Sequence, residues 1–141
     1  MTVPPRVSFV LETSLYVEDL ARAEAFYRRV FGFERFYSDA RMVALGVPGE
    51  QVLLLFRHGA AADPAPGPGG GTLPGHDGTG TSRLCFAIPF GELVAWERHL
   101  AVQTIPVESR LRWPAGGTSL YFRDPDGHLL EVATPGLWPN R

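Results

Sequence analysis

The chain contains no lysine: all 13 of its basic residues are arginine. That absence excludes Schiff-base chemistry, a lysine-bound pyridoxal phosphate and a phosphate-binding loop ending in lysine. Gly67-Pro68-Gly69-Gly70-Gly71-Thr72 is therefore not a nucleotide-binding motif despite its glycines. Cysteine is almost absent too. Cys85 stands alone and cannot form an internal disulfide, and no basic segment followed by an apolar stretch opens the chain, so a reducing, cytoplasmic compartment is expected. The apolar stretch Val7–Val17 is shorter than the roughly 20 residues of a membrane span, and Glu12 interrupts it. No run of like charges occurs, and a net charge of −2 gives no electrostatic reason to expect nucleic acid as a partner. What is present suffices for a core: 141 residues that are 45% hydrophobic imply one domain needing no staples.

The chain carries one pattern twice. Glu12-x-x-Leu15-x-Val17 returns as Arg83-x-x-Phe86-x-Ile88 at an offset of 71 residues. Each copy runs into a helical pattern, where Ala23, Phe26 and Val30 match Leu93, Trp96 and Leu100 at an offset of 70. A repeated strand-plus-helix unit implies paired modules about a pseudo-twofold axis, with the leading residues Glu12 and Arg83 brought to a shared cavity.

Module one spans about residues 7–57. A strand over 7–17 puts Thr13, Leu15 and Val17 on one face and Glu12, Ser14 and Tyr16 on the other. Asp19 caps a helix over about 20–31 that ends at Gly32, and strands follow at 33–38, 41–47 and 51–57. Between Gly59 and Gly80 lie four prolines and eight glycines, so 58–82 reads as an exposed, partly mobile connector with almost nothing to bury. Module two, about 83–134, repeats the plan: a strand at 83–88, a helix at 90–102, and strands at 105–112, 117–123 and 128–133. Asp124-Pro125-Asp126-Gly127 turns the last two strands into a hairpin that brings Tyr121 near Glu131.

Leu15-Tyr16-Val17-Glu18-Asp19-Leu20, Ala25-Phe26-Tyr27 and Val30-Phe31-Gly32-Phe33, with the closing stretch Ser119 to Val132, resemble the vicinal oxygen chelate superfamily. That superfamily includes glyoxalase I, bleomycin-resistance proteins, fosfomycin-modifying enzymes and extradiol dioxygenases. The resemblance implies an α+β fold in which paired βαβββ modules form a cupped, mostly antiparallel eight-stranded sheet with outer helices. It also implies a homodimer, a small-molecule ligand and, in metal-dependent members, ligands from the first strand of each module and from the last strand. Carried over residue by residue, those ligand positions fall on Glu12, Arg83 and Glu131. The last strand of module one offers only Leu53, Leu54 and Leu55 in place of a fourth.

Arginine at the third position is the departure that matters. Guanidinium has five donors and no lone pair to give, and a positive charge ~4 Å from a divalent ion costs about 8 kcal/mol at an effective dielectric of ~20. The expectation is a metal site that is absent or weak, with Arg83 lying between Glu12 and Glu131, no cofactor, and a small molecule bound in the cup by Arg83, Tyr16 and Trp113. The alternative is a metal-dependent lyase, transferase or dioxygenase acting on vicinal oxygens. There Glu12 and Glu131 hold Zn, Ni, Mn or Fe, and Tyr121 and Glu131 serve catalysis.

Each residue also has a plainer reading. The two glutamates sit at solvent-open strand ends, Arg83 is a structural ion-pair partner, and Tyr121 is a cross-strand aromatic that packs. His76 is expected to be solvated, His99 to lie on the exposed side of the second helix, His128 to serve the turn, and Cys85 to be a buried inert thiol. Trp138 is a further candidate for lining an apolar pocket, Trp96 belongs to the core, and His58 has no assigned role.

Overall fold

Alternation in the first strand decides which side of it is core. In the computed structural model, which describes residues 2–141, β1 (Glu12–Val17) buries Leu15 and Val17 and leaves Glu12 and Ser14 exposed. It pairs in parallel with β4 (Gln51–Arg57), which pairs antiparallel with β3 (Met42–Val47), itself antiparallel to β2 (Glu34–Ser38). The second copy repeats this connectivity with β7 (Arg83–Ala87), β10 (Leu129–Ala133), β9 (Thr118–Arg123) and β8 (Ser109–Arg112), so the two four-stranded sheets run β1-β4-β3-β2 and β7-β10-β9-β8. The expected strand over 7–17 begins only at Glu12. Because β4 starts at Gln51, the ladder offers residues before Leu11 no partner, and Val7 and Val10 stand exposed.

The chain divides into two compact units: residues up to Leu20 with Phe33–Asp77, and Ala21–Gly32 with Gly78–Arg141. Helix α1 (Leu20–Phe31) carries Arg28 and Arg29 in its last turn, where they complement the helix dipole, and stops as expected before Gly32, whose N–H donates to the Arg28 carbonyl at 3.0 Å. Its buried stripe of Ala23, Phe26, Tyr27 and Val30 belongs to the second unit. There Phe31 lies 4.6 Å from Phe86 and 6.1 Å from Phe122, ring to ring, and Tyr27 donates its hydroxyl to Asp124 Oδ2 at 2.7 Å. Helix α2 (Leu93–Val102) buries Leu100 and sets Trp96 against Phe31, half-buried. His99 departs from expectation. Rather than facing solvent it is half-buried, its Nε2 2.8 Å from the Val30 carbonyl, one of the last-turn acceptors that α1 leaves unpaired.

The β9–β10 hairpin closes as the sequence predicts. Asp124 Oδ1 accepts from the N–H groups of Asp126 and His128, and Gly127 takes φ +83°, a left-handed conformation costly to any residue with a Cβ. His128 is buried and accepts the Ser82 N–H on Nδ1 at 2.8 Å. The connector is mostly exposed, as its composition suggests, and carries a short pairing of its own. It folds on itself through β5 (Ala65–Pro66) and β6 (Thr72–Leu73), buries Ala61, and ties His76 N–H to the Ala61 carbonyl at 2.7 Å. Such backbone hydrogen bonds need no apolar side chains. Among the described residues no helix is long and apolar enough to cross a membrane.

Candidate functional site

Three strands of the second sheet bring its chemistry together. The register places Glu131 of β10 opposite Tyr121 of β9 and Cys85 of β7, so these side chains share a row on one face, with Arg83 two residues before Cys85 on the same side. The Arg83 guanidinium reaches back across the row. Its Nη2 donates to Glu131 Oε1 at 2.6 Å and to the Tyr121 hydroxyl at 3.3 Å, and its Cζ lies 5.6 Å from the Tyr121 ring centre. Ser119 donates to the other oxygen, Oε2, at 2.5 Å, and accepts the indole N–H of Trp113 at 2.8 Å. The Glu131 side chain is 1% exposed and Arg83 59%, so the carboxylate is buried with both oxygens engaged while the far edge of the cation remains open.

This arrangement fixes protonation states. The bond to Glu131, outweighing some desolvation, drives the Arg83 guanidinium further above its ordinary value. Burial, and then the Glu131 carboxylate, raise the Tyr121 phenol, which makes it a hydrogen-bond donor rather than a base near neutrality. Cys85 as a residue is exposed, not buried as expected, yet burial of its sulfur and the Glu131 charge push the thiol up to about 12. The thiolate is the reactive form, so alkylation by iodoacetamide at pH 8 is expected to run roughly a hundred- to a thousandfold slower than for an unperturbed thiol. A mass-spectrometric time course checks this.

Glu12 lies in the first unit, on a cavity of about 590 Å³. Tyr16 does not line this cavity: its hydroxyl is 2.6 Å from His76 Nδ1, and it is His76, with Phe56, that faces the space. His76 is thus a packed residue as well as an exposed one, its ring centre 4.5 Å from that of Phe56. Trp113 positions Ser119, and Trp138 is 73% exposed beside a smaller cavity of about 260 Å³. Sequence reasoning did not single out Ser119, although its spacing of two from Tyr121 on β9 puts both on the face of Glu131.

The donor set does not fit a divalent ion. Among the described residues no group of three or more His, Cys, Asp or Glu gathers where it could hold one, and the Glu131 oxygens are already committed to Arg83 and Ser119.

The model of the Glyoxalase/Bleomycin resistance protein/Dioxygenase superfamily matches residues 9–132. A lactoylglutathione lyase from Agrobacterium tumefaciens superposes with a TM-score of 0.85 at 37% identity, covering 97% of this chain and 99% of that one. Biphenyl-2,3-diol 1,2-dioxygenase 3 of Rhodococcus globerulus is 32% identical over 137 residues, 94% of this chain, which spans 64% of the length of that dioxygenase. A fosfomycin resistance protein from Listeria monocytogenes shares the fold at 20% identity, with a TM-score of 0.67 over 94% of this chain and 97% of its own.

Proposed function

Because the chain belongs to the Glyoxalase/Bleomycin resistance protein/Dioxygenase superfamily, we propose that it binds a small molecule at a site where a built-in guanidinium has replaced the metal of the metal-dependent relatives. One observation carries the reading: the buried Glu131 carboxylate is held at Oε1 by Arg83 and at Oε2 by Ser119, leaving its best lone pairs occupied. Displacing Arg83 to admit a divalent ion would require breaking a charge-assisted bond to a buried carboxylate. With the ion in place, a guanidinium ~4 Å away would cost about 8 kcal/mol before relaxation. The open edge of Arg83 then serves as an anchor for an anionic group of the ligand, as arginine does wherever a planar donor fork meets a carboxylate or phosphate. A homodimer in the cytoplasm completes the proposal.

The second reading is a metal-dependent lyase, transferase or dioxygenase. The 37% identity to a lactoylglutathione lyase along nearly the whole of both chains favours it. In that reading Glu12 and Glu131 would hold the ion and Tyr121 would assist proton transfer.

Elemental analysis of protein dialysed against Zn, Ni, Mn or Fe separates the two, with the wild type compared to Arg83→His. The binding reading expects less than a tenth of an equivalent in the wild type and gain of metal only in the variant, since imidazole restores a lone pair and removes a fixed charge. A stoichiometric ion in the wild type would establish the enzyme reading instead.

A further inference from the structure

We propose that the cavity of the first unit is a ligand site in its own right, apart from the Arg83 anchor, and takes a planar aromatic molecule bearing a protonated amine. Its floor follows from register. Across β1, β4 and β3 the rows Glu12–Val52–Gly46, Ser14–Leu54–Ala44 and Tyr16–Phe56–Met42 share one face, so the cavity is apolar in the middle with a carboxylate at one end.

One wall depends on a bulge. The β2–β3 register shifts between Arg35 and Tyr37, which makes Phe36 the extra residue and turns it out of the ladder. Its ring lies over Gly46, where a Cβ would overlap the ring carbons. Glycine in the middle of a strand weakens it, and here the missing side chain makes room for the aromatic wall. The facing wall comes from the connector, through Ala61, Leu73 and His76, the last held by Tyr16 and Phe56.

A volume of about 590 Å³ lies within the usual range of ~300–1,000 Å³ for small-molecule sites, so the cavity suits a ligand of two or three fused rings. Phe36, Tyr37, Phe56 and His76 give it aromatic faces, which pack against planar rings and attract cations. Its charges favour the same class. Glu12 and Asp63 line it against the single cation Arg41, and neither carboxylate has a hydrogen bond or ion pair among the described residues. Asp39 beside Arg41 is partly desolvated yet held below the usual carboxylate range by the backbone N–H of Arg41, the Tyr37 hydroxyl, the Met42 N–H and, last, the Arg41 charge, which is partly offset in return. An anion entering this space meets two unneutralised carboxylates, whereas an ammonium group meets them as partners.

Calorimetry on the full chain at pH 7 with 1-naphthylmethylamine, 1-naphthylmethanol and 1-naphthoate tests this. The amine is expected to bind about tenfold or more tighter than the carboxylate, with the alcohol between them. Glu12→Gln should narrow the amine–carboxylate gap several-fold and leave the alcohol unchanged, whereas Phe36→Ala should weaken all three. Both side chains are exposed, so neither change threatens the fold. Naphthoate binding more tightly than the amine in Arg83→Ala, where the Arg83 anchor is gone, would overturn the ligand class while leaving the small-molecule reading intact. Binding of none of the three, or amine binding indifferent to both variants, would overturn the inference outright, and metal stoichiometry decides the broader reading separately.

Discussion

Asp124→Ala is expected to destabilise the protein by about 3–5 kcal/mol and to lower its Tm by roughly 10–20 °C, the largest loss foreseen for any single polar side chain here. The residue is 5% exposed and holds three groups at once: the Tyr27 hydroxyl on Oδ2, and the Asp126 and His128 N–H groups on Oδ1. Alanine would strand a fully buried phenol and two turn amides, each costing about 1–3 kcal/mol where water cannot reach. Asp124→Asn keeps an acceptor for the turn and should lose less, about 1–2 kcal/mol. A pH arm tests the assignment to Tyr27. Burial, then Asp124, raise the folded-state value of that phenol, so its contribution is complete below the ordinary tyrosine value of about 10 and is lost as pH rises past it. Urea titrations of the wild type at pH 7 and 11 should differ more than those of Tyr27→Phe, and equal differences would remove Tyr27 from the account.

Much of this architecture was written in local patterns. The 3.6-residue stripe of α1 ending at Gly32, the Asp-Pro-Asp-Gly turn and the 71-residue recurrence of the strand skeleton each specify their element through nearby residues alone, and the observed elements fall where those patterns put them. The Tyr121–Glu131 pairing was legible for the same reason, since hairpin register fixes which side chains share a face, whereas the Arg83–Glu131 ion pair was expected from the ligand positions that the family resemblance carries onto these residues. What sequence could not convey were choices made between distant segments. That α1 packs within the second unit, with Tyr27 on Asp124, depends on a partner 97 residues away. The Phe36 bulge depends on the space left by Gly46, and the His99 contact on a helix-end carbonyl, Val30, in need of a donor. The β5–β6 pairing inside the connector escaped because composition registers burial but not the backbone bonds that join the two.

Arg83→Leu should cost about 2–3 kcal/mol, and adding Glu131→Leu should recover most of that loss. Removing one member of a buried pair commonly costs about 3–5 kcal/mol, because the survivor is left charged and poorly solvated. The lower figure applies because the Arg83 side chain is 59% exposed, so water can follow the departing guanidinium to Glu131 Oε1. Glu131→Leu alone should be milder, since Arg83 can then turn to solvent and the groups left without their carboxylate partner, Ser119, Tyr121 and Cys85, are all uncharged. The double-mutant cycle therefore predicts a coupling of about 1.5–3 kcal/mol, measured by denaturant unfolding. This number bears on function as well as stability. A strong coupling means that Glu131 requires a cation and that the chain supplies its own, so a metal has no task left at this position. If Arg83→Leu is as stable as the wild type, the carboxylate does not depend on the guanidinium, its Oε1 lone pairs are available to an ion, and the metalloenzyme reading gains what the binding reading loses.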